Sequence, residues 1–313
     1  MEMISRACPL CGSSDTSRVF AEANVETERL DSFAFASRKM PEYMHYRLID
    51  CPSCDLLYAT PLPSEEYLAA GYGEAAYDSG VEAHYAAATY AHLLAAFTGR
   101  LPNRHGALDI GAGDGAFLEY LLECGFDGVV GVEPSRAPIA AARTDIRPLL
   151  REGIFRSDDF IPDSFSLVTC FQTLEHLPDP LAMTREVYRL LKPGGAAFFI
   201  CHNRRALSAR LLGRKSPIFD IEHLQLFSPL SARYLLEQAG FTDLMVQRVV
   251  NRYPLRYWLR LLPLPQGIKR SLIATLDRMG VGGWSVSIPA GNIALIGFKP
   301  DHLADMTTVR TTP

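Results

Sequence analysis

Apolar residues recur in two rhythms along this chain. Short runs rich in Val, Ile, Leu and Phe alternate with stretches whose apolar positions fall three and four residues apart. GALDIGAGDGAFLEYLLECG reads as a strand, a glycine turn and an amphipathic helix, and GVVGVEP as a second strand ending in an acid. FSLVTCFQTLEHL holds a third strand, DPLAMTREVYRLLKPGG a helix with a stop signal, and AAFFICHN another strand. SPLSARYLLEQAGF is a further helix, with Ser228 as its cap and Pro229 at its first position. The alternation predicts an α/β fold, a parallel sheet with helices on both faces. Ligands of such sheets bind beyond the carboxyl ends of the strands.

Composition adds exclusions. The chain has 313 residues, of which 48% are hydrophobic and 21% charged, and its net charge is -4. Without a global basic field, wholesale nucleic-acid binding is not expected. No apolar run is long enough to cross a bilayer, and MEMISRACPLCG lacks the apolar core of a signal peptide. A cytoplasmic location is expected. The cysteines then read as metal ligands or small core hydrophobes rather than disulfides.

CPLCGS and DCPSCDLLYATPLP each supply a C-x-x-C knuckle, Cys8 with Cys11 and Cys51 with Cys54. Each knuckle lets two thiolates grip one ion from a tight turn. Together they complete the tetrahedral four-sulfur set of structural Zn2+. The long loop between them is no obstacle, because closure entropy grows slowly with length. Cys124, Cys170 and Cys201 lie in apolar contexts and read as core.

The glycine turn points to a nucleoside. Gly111, Gly113 and Gly115 let the backbone approach a ligand and turn sharply into the helix. Glu133 ends the next strand, where it can accept hydrogen bonds from both ribose hydroxyls. Asp109 precedes the turn. An acid there would repel a pyrophosphate and suits a cofactor with an ammonium and a sulfonium, which favours S-adenosylmethionine over NAD.

LDIGAGDGAFLEYL, GVEPS, FQTLEHLPDP and LKPGG, in that order, resemble the motifs of class I S-adenosylmethionine-dependent methyltransferases over residues 106–201, with a weaker tail to residue 300. The resemblance implies a Rossmann-like, seven-stranded, mostly parallel sheet whose final strand, GNIALIGFKP, is antiparallel. The cofactor set that follows is Tyr77, Asp109, Gly111, Ala112, Gly113, Glu133, Pro134, Phe155, Phe171 and Gln172. Gly111 and Gly113 would pass the methionine part, Glu133 would hold the ribose, and the loop at Phe155 would flank the adenine. The family's frequent F-D-x-V at the fourth strand is FSLV here, with Ser166. That departure touches strand-edge bonding more than catalysis.

The knuckles, LLYATPLP and the tyrosine-rich YLAAGYGEAAY also resemble zinc-containing methyltransferases of nucleotide-linked deoxysugars, and related enzymes of polysaccharide and natural-product clusters. In the sugar C-methyltransferases of that group a second sheet domain follows the core. This sequence lacks one after residue 300, which shifts the expectation toward methylation of oxygen. In the same enzymes an E-H pair lies in a segment resembling IEHLQLFS, with the histidine as proposed base. The resemblance therefore implies His223 as base, with Glu222 beside it and His176 of LEHLPDP as another active-site histidine. Histidine suits the task, because methyl transfer needs an aligned acceptor and a group that removes its proton near neutral pH. The same stretch also reads as a helix lead-in, in which His223 bonds only to backbone.

Two more segments carry charge. NRRALSARLLGRKSP has Arg204, Arg205, Arg210, Arg214 and Lys215 with no acid, either a phosphate contact or a solvated face. NRYPLRYWLRLLPLPQGIKRSLIATLDRMG is basic, aromatic and leucine-rich. It could lie on a membrane, but Pro254, Pro263 and Pro265 break it, which favours packing on the core.

The expected organisation is a zinc-binding module at 1–62, a helical linker over the cofactor pocket at 63–105, and a methyltransferase domain at 106–300. Lid insertions fall near 203–228 and 252–283, and a flexible tail at 301–313. The expected activity is O-methylation of a sugar, nucleotide sugar or natural product, a small-molecule acceptor. The rivals are C-methylation of a nucleotide-linked keto-sugar and a non-catalytic partner protein that binds cofactor only.

Overall fold

A computed structural model describes residues 2–30, 33–36, 42–77 and 80–301. The N-terminal part contributes short strands β1 (Met3–Ile4), β2 (Val19–Ala21), β3 (Leu48–Asp50), β4 (Leu57–Ala59) and β5 (Leu62–Pro63). Helices α1 (Glu65–Gly73) and α2 (Gly80–Ala95) lead to the alternating region: β6 (His105–Ile110), α3 (Ala116–Glu123), β7 (Asp127–Glu133), α4 (Arg136–Ala141), β8 (Leu150–Glu152), β9 (Phe165–Phe171), α5 (Pro180–Leu190) and β10 (Leu191–His202). Then come α6 (Leu207–Leu212), β11 (Gln225–Leu226), α7 (Pro229–Gln238), β12 (Thr242–Pro254), α8 (Leu255–Leu261), α9 (Gln266–Arg278) and β13 (Ser285–Phe298). The last twelve residues of the expected tail lie outside the described set.

Seven strands form the central sheet in the order β12-β13-β10-β9-β6-β7-β8. β6 to β10 run parallel, and β13 lies antiparallel between β10 and β12. This is the Rossmann-like methyltransferase sheet that the alternation and the resemblance imply. Both its faces are covered, so its strands are near-continuous apolar runs. Successive residues point to opposite faces. Leu108, Val168 and Phe199 pack with Val187, Leu190 and Leu235 of α5 and α7. Ala107, Leu167 and Phe198 pack with Leu94 and Leu121 of α2 and α3.

The helix signals act as read. Asp179 caps α5 by accepting from the Ala182 amide at 2.8 Å, with Pro180 in the first turn. Ser228 and Ser231 close a capping box on α7. One boundary differs: α5 stops at Leu190, and Leu191 and the LKPGG run are already strand, with a register shift before Ala196. Ser166, the family departure, donates to the His105 carbonyl at 2.9 Å and so ties β9 to the start of β6.

The N-terminal strands form a second sheet, β11-β4-β3-β2. Its edge strand β11 comes from far along the chain, pairing Gln225 with Tyr58 and Leu226 with Leu57. The basic run beside it has a different role from the phosphate contact considered above. Arg204 donates to Asp50 at 2.8 Å and lies 3.7 Å from Asp55, and Arg205 also pairs with Asp55. These two arginines lock the second knuckle to the main sheet. Arg210, Arg214 and Lys215 are exposed.

Candidate active site

The carboxyl ends of β6, β7 and β9 open into one cavity of about 590 Å³. All ten residues of the implied cofactor set line it: Tyr77, Asp109, Gly111, Ala112, Gly113, Glu133, Pro134, Phe155, Phe171 and Gln172. Its size suits a nucleoside with a small acceptor.

Glu133 ends β7 almost buried. One of its carboxylate oxygens accepts from the Gly113 amide and the other from the Ser135 amide, each at 2.8 Å. The backbone thereby aims the carboxylate into the cavity, with a lone pair left on each oxygen. Burial pushes its pKa up, and the two amide bonds oppose that. Asp109 is 2% exposed and accepts from the Thr169 hydroxyl at 2.6 Å. Burial lifts its pKa to about 7.

Two backbone features hold the turn. Gly111 has φ +76°, and a Cβ there would overlap the Thr173 hydroxyl. The glycine is thus required by a protein neighbour. Gln172 sits at φ +53°, unusual for a residue with a side chain, with its amide bonded to the Ile200 carbonyl at 2.7 Å. Phe171 packs beside Gln172 against Tyr90, Phe117 and Phe198, with centroids 4.6, 4.7 and 5.0 Å away.

His176, Glu222 and His223 come together. Glu222 lies beside both rings, 3.8 Å from His176 Nδ1 and 3.8 Å from His223 Nε2. Their positions differ, however. His176 is on the cavity wall, and His223 and Glu222 are not among its lining residues. His223 lies behind His176, ring edge to ring face at 5.2 Å, with His202 on its other side at 5.0 Å. Its Nδ1–H donates to the Ile218 carbonyl at 2.8 Å. Asp220 takes the Ile221 amide at 2.9 Å and shapes this turn.

Three participants escaped the sequence reading. Tyr72 puts its hydroxyl 2.9 Å from His176 Nδ1. Tyr77, five residues further in the same tyrosine-rich run and beyond the end of α1, also lines the cavity. Glu175, in the LEH triplet, is fully buried and accepts from the His202 amide; burial raises its pKa to about 8. Arg6 cross-links the surroundings. It donates to the carbonyls of Ala59 at 3.0 Å, Leu224 at 2.9 Å and Pro178, and to Gln225 Oε1 at 3.0 Å. One half-buried cation thus joins β4 to the segments that carry His176 and His223. Its proximity to the first knuckle was visible in the sequence, but its partners were not.

Cys8, Cys11, Cys51 and Cys54 form a separate cluster whose sulfurs all lie within 4.8 Å of one another. Cys8 to Cys54 and Cys11 to Cys51 are each 3.5 Å. A tetrahedral zinc with bonds of about 2.3 Å separates its sulfurs by roughly 3.8 Å, so the donor set fits the ion.

A profile of the methyltransferase-domain family matches residues 83–246, half of the chain. The chain belongs to that family. Among curated proteins, a stretch of 106 residues is 35% identical to a ubiquinone biosynthesis O-methyltransferase of Pseudomonas entomophila, and 37% identical to one of Pseudomonas aeruginosa. Each match covers 31% of this methyltransferase and 44% of the relative, so the chain spans under half the length of the relatives it matches. A solved methyltransferase of Archaeoglobus fulgidus is 17% identical, covering 68% of this chain and 94% of that one, with a TM-score of 0.46.

Proposed function

We propose that the chain transfers a methyl group from S-adenosylmethionine to a hydroxyl oxygen of a small ring compound. The observation that carries this is one cavity lined by Asp109, Glu133 and His176 together. Glu133 receives the ribose hydroxyls on its remaining lone pairs. Asp109 faces the cationic part of the cofactor. The bound cofactor supplies a methyl carbon on a good sulfur leaving group.

The protein's task is then alignment and proton removal. Of the histidines, His176 is the one the acceptor can meet. With the Tyr72 hydrogen on the Glu222 carbonyl, 3.4 Å away, His176 Nδ1–H donates to the phenol oxygen and Nε2 stays basic. The acceptor oxygen gives its proton to that nitrogen and forms the new O–C bond, while the C–S pair departs on sulfur. Glu222, 3.8 Å from His176 Nδ1, stabilises the imidazolium.

Phe35, Leu68, Ala69, Tyr72 and Ala75 also line the cavity. That apolar wall favours an uncharged natural-product ring over a nucleotide sugar, and Arg204 and Arg205 are already committed to Asp50 and Asp55. The O-methyltransferase names of the curated relatives support oxygen as the acceptor atom. The cysteine cluster would hold a structural Zn2+, since four protein ligands close its coordination.

The test uses methyl-labelled S-adenosylmethionine, purified protein and an extract of the source cells, with products partitioned between water and organic solvent. Label is expected in the organic phase as an alkali-stable ether. Label in a nucleotide fraction would restore the nucleotide sugar. Glu133→Ala should weaken cofactor binding by about tenfold or more; unchanged calorimetric affinity would remove Glu133 from the ribose position.

A further inference from the structure

The region from β12 to β13 holds two helices that behave differently. α8 buries Tyr257 and rests Trp258 and Leu261 on the core. α9 lies exposed along its length except at Lys269, Ile273 and Leu276. Ile268, Leu272 and Met279 share one side of it and are 50%, 41% and 66% exposed. Trp284, in the turn before β13, is 65% exposed, and Leu262 and Leu264 at the start of the link are also in water. A contiguous stretch of exposed large apolar residues marks a contact surface.

Charge selects the occupant. Residues 252–279 carry Arg252, Arg256, Arg260, Lys269, Arg270 and Arg278 against Asp277, in a chain of net charge -4. Lys269 is consumed inside, on the Arg260 carbonyl at 2.8 Å, and Arg260 pairs with Glu82 at 3.3 Å. Arg252, Arg256, Arg270 and Arg278 remain exposed. A second copy on this face would oppose like charge to like. An anionic bilayer boundary matches both features, with apolar side chains toward the acyl region and guanidiniums at the headgroups.

We propose that α9 and its flanking turns dock peripherally on an anionic lipid surface. Among the described residues no helix is long and apolar enough to cross a membrane, so the contact is lateral. The Arg260–Glu82 pair ties α8 to the start of α2, and the next residue, Ala83, lines the cavity. Docking therefore brings one wall of the cavity beside the lipid. The proposal does not depend on the identity of the acceptor.

Full-length protein would be sedimented with phosphatidylcholine vesicles, with and without phosphatidylglycerol, at low and at physiological salt. Partition onto the anionic vesicles should exceed that onto neutral ones by about tenfold or more and fall with salt. Arg278→Gln should weaken it by about fivefold. Ile268→Ser with Leu272→Ser and Trp284→Ser should abolish it, and S-adenosylhomocysteine affinity in every variant reports an intact fold. Absent partition, or partition that both variants retain, would overturn the proposal. So would self-association in the ultracentrifuge that the apolar variant removes while vesicles stay unbound, or duplex nucleic acid bound more tightly than the vesicles.

Discussion

The Tyr72 hydroxyl sits 2.9 Å from Nδ1 of His176, so the helix that precedes the core holds the histidine on the cavity wall. The ring of Tyr72 is itself fixed by Phe35, edge-on at 5.2 Å. Tyr72→Phe keeps that packing and removes only the bond. Turnover should fall about tenfold, the worth of one hydrogen bond to a charging group, with S-adenosylhomocysteine affinity unchanged. Wild-type turnover in steady-state assays would remove the tyrosine from the proton path.

In the proposed site, Asp109 should make cofactor binding depend on pH. Burial raises its carboxyl to about 7, and a cation in the cavity favours the ionised form. The ligand therefore binds the deprotonated state better, and affinity should drop as pH falls through 7, by up to about tenfold per pH unit. Calorimetric titration with S-adenosylhomocysteine from pH 8 to pH 5 measures the slope. Asp109→Asn should bind weakly at every pH and flatten it.

Glu175 carries a separate signature, in stability. Its folded pKa, about 8, lies above its ordinary value of 4.5 because the carboxyl is buried. The folded chain therefore holds a proton that the unfolded chain releases. The protonated carboxyl's contribution is complete below about 4.5 and is lost as pH rises through 8. Glu175→Gln should leave the denaturation midpoint nearly unchanged at pH 5 and raise it at pH 9. A midpoint that falls equally at both would mean the His202 amide bond, not the charge, decides.

Metal analysis should find about one zinc per chain. Cys51→Ser should lower that content and the melting temperature together, since the second knuckle anchors Asp50 and Asp55 to Arg204. Full melting stability in metal-free protein would separate the cluster from the fold.

Local signals were legible and distant pairings were not. The glycine turn, Asp109 and Glu133 lie within one strand–turn–helix–strand unit, so their juxtaposition follows from elements whose periodicity can be read directly. The Ser228 cap is equally local. Arg204 illustrates the opposite case. Its run of cations looked free because its acids, Asp50 and Asp55, lie some hundred and fifty residues earlier and meet it only through the fold. Tyr72 was not separable from Tyr77 in the sequence, because which tyrosine of the run reaches His176 is a tertiary property. The order of the histidines, His176 in front and His223 behind, depends on how the turn at Asp220 folds back. α9 was expected to pack like α8, and the prolines that divide them at Pro263 and Pro265 leave it outside the core.

The pairing of β11 with β4 has a consequence for the order in which the molecule is made. The thiolates are complete once Cys54 has left the ribosome, and an ion can be captured then. The strand that closes their sheet is translated only after most of the central sheet. Until Gln225 arrives, β4 presents an open edge, a template for mispairing with any nascent neighbour. A fragment cut anywhere ahead of that residue would inherit the same open edge, so the amino-terminal third is poorly suited to transplantation as a stand-alone tag.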